Sequence, residues 1–111
     1  MSKLNDLSIP LSALAFHTDS MAVAPADDWT TIQVGVLLQA VVEHHAKSVL
    51  EEGELHAVSV TFDVSADATT GANVAFESRI DRKTRTLVFA SGFAKQNDRH
   101  LLKATVVFRI S

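Results

Sequence analysis

Residues 31–52 read TIQVGVLLQAVVEHHAKSVLEE, and the fold turns on them. Thr30 and Gln33 have capping-box spacing, in which the hydroxyl accepts from a first-turn amide while the glutamine side chain reaches back, so a helix begins at about Thr31. Gly53 is its expected stop. The first half is apolar nearly all round: Ile32, Val34, Val36, Leu37, Leu38, Ala40, Val41 and Val42, with only Gln33 and Gln39 as polar side chains. A helix on a wet surface shows one apolar stripe, so this pattern predicts a helix enclosed by protein on most sides. Gly35 costs about 1 kcal/mol relative to alanine inside a helix, which suggests a close approach to its backbone.

After Gly53 the apolar period changes from that of a helix to two. Val58, Val60, Phe62 and Val64 alternate with Ser59, Thr61, Asp63 and Ser65, a strand with one polar face. Turn residues from Asp67 to Gly71 lead to a second strand carrying Val74, Phe76 and Ile80. Thr86 to Gln96, interrupted by Gly92, and Leu101 to Ile110 give a third and a fourth, joined through the polar turns DRKTR and KQNDR. The four are expected to form an antiparallel meander. Upstream, the chain divides at Pro25 to Thr31; Ile9 to His17 suggests a helical turn and Ser20 to Ala24 one strand. The predicted order is one strand, one long helix and four strands, an α+β architecture in which the sheet wraps the helix.

Composition narrows the function. At 111 residues, 47% hydrophobic and 21% charged, the chain reads as one globular domain. A domain of this length buries only about two-thirds of its unfolded surface, which favours association with a partner. With no cysteine, disulfides, thiol nucleophiles and thiolate metal sites are excluded. No basic-then-apolar leader and no membrane-length apolar run occurs, so a soluble, cytoplasmic protein is expected. The net charge of -3 argues against nucleic acid as a partner. The charge is uneven: Arg79, Arg82, Lys83, Arg85, Lys95, Arg99, Lys103 and Arg109 follow Ser78, opposed there only by Asp81 and Asp98. That basic segment is either a solvated rim around turns or a dock for a phosphate-bearing ligand.

Among chemically capable side chains, Glu43 stands out as the only ionised residue within three turns after Gln33. Burial on so apolar an element would raise its pKa and suit it to act as a general base. The structural alternative is an i,i+4 ion pair with Lys47, worth a few tenths of a kcal/mol. Glu43, His44 and His45 look like metal ligands, but adjacent helical side chains diverge by about 100° and cannot converge on one ion. His17, His56 and His100 are scattered. Neither a GxSxG elbow nor a phosphate loop nor a GxGxxG run is present. Ser59, on the polar face of the strand after the helix, is either an ordinary strand serine or a partner for Glu43.

GVLLQAVVE, with a glutamate eight residues after a glycine and four strands behind it, resembles the hotdog fold of the acyl-CoA thioesterases, specifically the phenylacetate-type group. That group carries a histidine-glycine-glycine motif at the helix start and an acidic residue two turns later, which fall on Val34-Gly35-Val36 and on Glu43. AVSVTFDVS resembles the strand on which many members place a catalytic serine or threonine, here Ser59. Gly71 with ANVAFES, and RTLVFASGFAKQNDRHLLKATVVF, resemble the segments that follow, so the likeness runs from Val34 to Ile110. This chain departs from the pattern at Val34, which removes the imidazole, and at Val36, which removes the second glycine. Asp28 lies nearest to an asparagine that some members carry before the motif.

The resemblance implies hydrolysis of an acyl-CoA, with CoA entering as part of the substrate and no separate cofactor or metal. The amides of Gly35 and Val36, at the positive end of the helix, would hold the thioester oxyanion. Glu43, from a neighbouring subunit, would activate water or attack directly, and Ser59 would orient the water. Arg82, Lys83, Arg85 and Arg99 would meet the nucleotide phosphates. It also implies a homo-oligomer, dimer or tetramer, with sheets continuous across the interface. Two alternatives stand beside it: a non-catalytic hotdog protein that binds an acyl chain or stabilises a complex, and a cystatin-like partner-binding domain, whose helix would have a wet face along its first half. A hydratase is disfavoured, since His17 is the only weak candidate for its histidine.

Overall fold

The computed structural model describes residues 11–25, 29–69 and 71–111. A 3-10 turn, Leu11–Ala13, precedes strands β1 (Ala15–Thr18) and β2 (Met21–Ala24). Helix α1 (Thr31–Ser48) follows, and then β3 (Leu55–Val64), β4 (Val74–Lys83), β5 (Leu87–Gln96) and β6 (Arg99–Ile110). The capping box forms as its spacing predicts: Gln33 N–H donates to Thr30 Oγ1, and Thr30 N–H donates to Gln33 Oε1 at 2.9 Å. The helix stops earlier than expected, at Val49, whose N–H turns back to the Ala46 carbonyl. Gly53 instead makes the bend into β3, with φ at +97°, where an added methyl group would stand 2.9 Å from the Ser111 carbonyl oxygen, a position that excludes a side chain.

The six strands form one antiparallel sheet in the order β1-β2-β4-β5-β6-β3. Two expectations are corrected by it. The segment before the helix, expected to hold a helical turn up to His17 and one strand, holds a short 3-10 turn and then a hairpin of two short strands that reverses at Asp19 and Ser20. The later four strands are not a simple meander: β4, β5 and β6 are consecutive neighbours, but β3 pairs with β6 and occupies the far edge. The β5–β6 hairpin closes through Asn97 and Asp98, both with positive φ (52° and 65°), the conformation that a two-residue hairpin loop demands. Between β3 and β4, buried Gln96 replaces missing ladder partners: its Oε1 accepts from Thr69 N–H and its Nε2 donates to the Ala72 carbonyl.

One face of the sheet packs on α1. Phe76, Val88, Ala90, Ala94, Leu102, Ala104, Val106 and Phe108 meet Leu37, Leu38, Val41, Val42 and Ala46, all essentially buried. The close approach foreseen at Gly35 lies at Gly92: a methyl group there would stand 2.5 Å from Val42 and 2.9 Å from Leu38. A methyl on Gly35 would meet Phe62 at 3.5 Å, an ordinary contact. A polar tie joins helix and sheet at this depth, His45 Nδ1 to the buried Ser78 hydroxyl at 3.0 Å. Desolvation holds the His45 pKa below its ordinary value, aided by His44 and opposed by Asp19.

These contacts predict opposite outcomes at two glycines. Gly92→Ala is expected to destabilise the protein by about 1–3 kcal/mol through overpacking, whereas Gly35→Ala is expected to be neutral or to stabilise by up to about 1 kcal/mol; urea denaturation of both variants measures the difference. Folding disfavours the His45 imidazolium, so its contribution is intact above the unfolded histidine pKa near 6.5 and is lost as pH falls below that value. The denaturation midpoint should therefore drop more between neutral and mildly acidic pH in the parent than in His45→Gln.

Candidate functional site

Glu43 lies on the side of α1 turned away from the sheet, with 39% of its side chain exposed and its Oε1 3.4 Å from Lys47 Nζ. Glu43 is therefore not enclosed within a single chain, and the i,i+4 ion pair is present. The same side carries Ile32 and Val36 at helical spacing, 55% and 38% exposed. Next to it, β3 is bare along the edge of the sheet. Val60, Phe62 and Val64 register with the buried Val106, Ala104 and Leu102, so they share the helix-facing side, yet each stays exposed. The Phe62 ring passes over Gly35 and joins the two surfaces into one apolar face with Glu43 at its border.

The amides of Gly35 and Val36 are not available as an oxyanion hole within this helix. α1 begins at Thr31, a full turn before the motif positions, and its first ladder bond already runs from Val34 N–H to the Thr30 carbonyl at 3.0 Å. Gly35 and Val36 follow inside the ladder, and their N–H groups are spent on it. The first-turn donors left without a partner in the helix are those of Thr31 and Ile32. Asp67, in the β3–β4 loop, stands beside them and accepts from Thr31 Oγ1 at 3.1 Å. Neither Asp67 nor the His45–Ser78 pair was legible as a site: both arise from residues more than thirty positions apart in sequence.

Ser59 follows a bulge between Ala57 and Ser59 and registers with Val107, on the face of the sheet opposite the helix. Within one chain it is not brought to Glu43. The basic residues divide as well. Arg82, Lys83 and Arg85 lie around the β4–β5 turn, where Lys83 and Arg85 border a groove of about 770 Å³ with Glu51, Glu52, Leu50 and Ile110. Arg99 lies at the opposite end of β5 and donates to the Asp67 carbonyl at 2.8 Å. The four therefore do not form one dock. Asp28 lies outside the described residues.

No family model matches the chain, and no curated protein sequence matches it; solved structures do. A phenylacetic acid degradation-related protein from Ralstonia eutropha JMP134 superposes with a TM-score of 0.75 at 16% identity, covering 96% of this chain and 95% of that one. A thioesterase from Haemophilus influenzae gives 0.77 at 12% identity, covering 98% and 86%. A hypothetical thioesterase from Streptococcus pneumoniae TIGR4, solved with coenzyme A, gives 0.72 at 9% identity, covering 88% and 86%. The cystatin-like alternative is set aside by these matches, whose likeness is one of architecture: the chain has the hotdog fold that these thioesterase structures share.

Proposed function

We propose that the protein is a hotdog-type thioesterase that hydrolyses an acyl-CoA and works as a homodimer. The observation that carries this reading is the exposed apolar face of α1 and β3, with Glu43 at its border. A second copy covering that face would pair the two β3 edges, bury Ile32, Val36, Val60 and Phe62, and remove Glu43 from solvent. The coenzyme A bound to the pneumococcal neighbour supports a CoA-type ligand. Phosphates of the nucleotide would meet Arg82, Lys83 and Arg85 at the β4–β5 turn.

In this mechanism the thioester carbonyl oxygen accepts from the Thr31 and Ile32 amides, where the helix dipole is positive. Glu43 from the other copy takes a proton from water as the water attacks the carbonyl carbon, and the C–S bond breaks as the tetrahedral intermediate collapses. Such a base contributes about a hundredfold or more to turnover. A second reading, a hotdog protein that binds acyl-CoA without hydrolysing it, is favoured by Val34 in the place of histidine and by the occupied amides of Gly35 and Val36.

Thiol release from a panel of short, long and aromatic acyl-CoAs decides between them. Glu43→Ala is expected to lose about a hundredfold in kcat, while Ser59→Ala, on the outer face, is expected to stay close to the parent. Binding of acyl-CoA without turnover by a folded dimer would favour the second reading. The dimer has its own test: Phe62→Asp places a charge on the apolar face and should yield monomers in sedimentation velocity, with loss of activity where Glu43 acts across the interface.

A further inference from the structure

The groove of about 770 Å³ lies between the loop after α1 and the β4–β5 turn, at the end of the helix away from Thr31. Hydrogen bonds hold both of its walls. On the sheet side, Thr84 Oγ1 accepts from Leu87 N–H at 2.9 Å and Thr84 N–H donates to the Leu87 carbonyl at 2.8 Å, which fixes the turn that carries Lys83 and Arg85. On the helix side, Leu50 N–H turns back to the Lys47 carbonyl, and Glu54 and Ser111 exchange two backbone bonds at 3.0 Å, which ties down the loop that carries Glu51 and Glu52. Leu50 and Ile110, both half-buried, supply apolar surface between the walls. Among the described residues, none of the Lys83, Arg85, Glu51 and Glu52 side chains has a hydrogen-bond or ion-pair partner, so no bridge closes the groove.

The charges are sorted by wall, with two cations on the sheet side and two carboxylates on the helix side. A bare polyphosphate or a simple cation would meet a like charge on one wall, so neither fits. The arrangement suits a ligand that is anionic at one end, donates hydrogen bonds at the other and has an apolar body between. We propose that this groove binds an adenine nucleotide: its phosphates lie against Lys83 and Arg85, its ring rests on Leu50 and Ile110, and its exocyclic amine donates to Glu51 or Glu52. Guanidinium and ammonium groups give phosphate oxygens charge-assisted hydrogen bonds, the guanidinium in a fixed fork. The carboxylates add a choice of base, because they accept from the amine of adenine and would repel the carbonyl oxygen that guanine and hypoxanthine carry at the same ring position. The nucleotide has two possible sources with this one chemistry: that of CoA, in which case the site rests on the thioesterase reading above, or a free adenine nucleotide. In either case the recognition lies at the opposite end of α1 from the Thr31 and Ile32 amides, so it is separable from the chemistry placed there.

Titration of the isotope-labelled full chain with AMP, ADP and CoA, followed by amide chemical shifts, tests this. Shifts are expected at residues 49–54, 83–86 and 110–111. AMP is expected to bind roughly three- to tenfold more tightly than the purine ribonucleoside monophosphate that lacks the amine. Glu51→Ala combined with Glu52→Ala should abolish that preference and keep nucleotide binding, whereas Lys83→Ala combined with Arg85→Ala should weaken both nucleotides by roughly tenfold. A KM for acyl-CoA that rises in the Lys83 and Arg85 variant assigns the nucleotide to the substrate; AMP and ADP shifts with an unchanged KM assign it to a free nucleotide. Equal affinity for AMP and its amine-free analogue in the parent, shifts that map elsewhere, or the same shifts produced as strongly by inorganic phosphate would overturn the proposal. AMP shifts at the groove without hydrolysis of any acyl-CoA would instead sink the thioesterase reading and leave this site standing.

Discussion

The contact between α1 and the middle of the sheet at Gly92 is what the remaining structure depends on. A methyl group there would stand 2.5 Å from Val42, so the absence of a side chain lets the helix settle into the sheet instead of riding above it. That depth buries Leu37, Leu38, Val41 and Val42 completely against Phe76, Val88, Ala90 and Val106. Burial of a branched side chain contributes about 1.5–3 kcal/mol, and in a domain this small a few such residues make the difference between folding and not. The same depth brings His45 to Ser78, a polar tie that an apolar helix face would otherwise lack.

Deep seating on one side leaves the other side unfinished. A single six-stranded sheet covers roughly half of the helix, and Ile32 and Val36 remain outside that cover. β3 adds a second deficit, because it is an edge strand with Val60, Phe62 and Val64 exposed. Unpaired edges and contiguous apolar patches are features that monomers avoid and interfaces use. Glu43 takes its interest from that location: paired with Lys47 in water it is an ordinary surface glutamate, and under a second copy it would be a carboxylate in an apolar seam.

The start of the helix sets the limits of the chemistry. The capping box of Thr30 and Gln33 draws α1 a full turn ahead of the glycine at position 35, which commits the Gly35 and Val36 amides to the helix ladder. Polarising capacity moves to Thr31 and Ile32, beside Asp67. A change of one turn in where a helix begins thus relocates its electrophilic end by about 5 Å, with the same residues still present in the chain.

Local rules were sufficient for the helix start, the period-two strands and the apolar character of α1, because caps, turns and side-chain periodicity act within a few residues. They also drew attention to Glu43 and to the odd glycines. Pairing order could not be read in the same way. β3 lies beside β6, not β4, and no turn signal in the sequence encodes a pairing between segments so far apart. Helix propensity makes glycine conspicuous at Gly35, but the close approach occurs at Gly92, where glycine in a strand reads as a simple interruption. Ser59 illustrates the sharpest limit: a bulge between Ala57 and Ser59 and the register with β6 fix its face, and both belong to the paired sheet. What the sequence by itself determined was the set of elements and their apolar faces, since those follow from short-range sterics and hydrophobic period; only the tertiary structure decided which faces meet, which amides are spent and which side chains stand within reach, since those depend on contacts between residues distant in the chain.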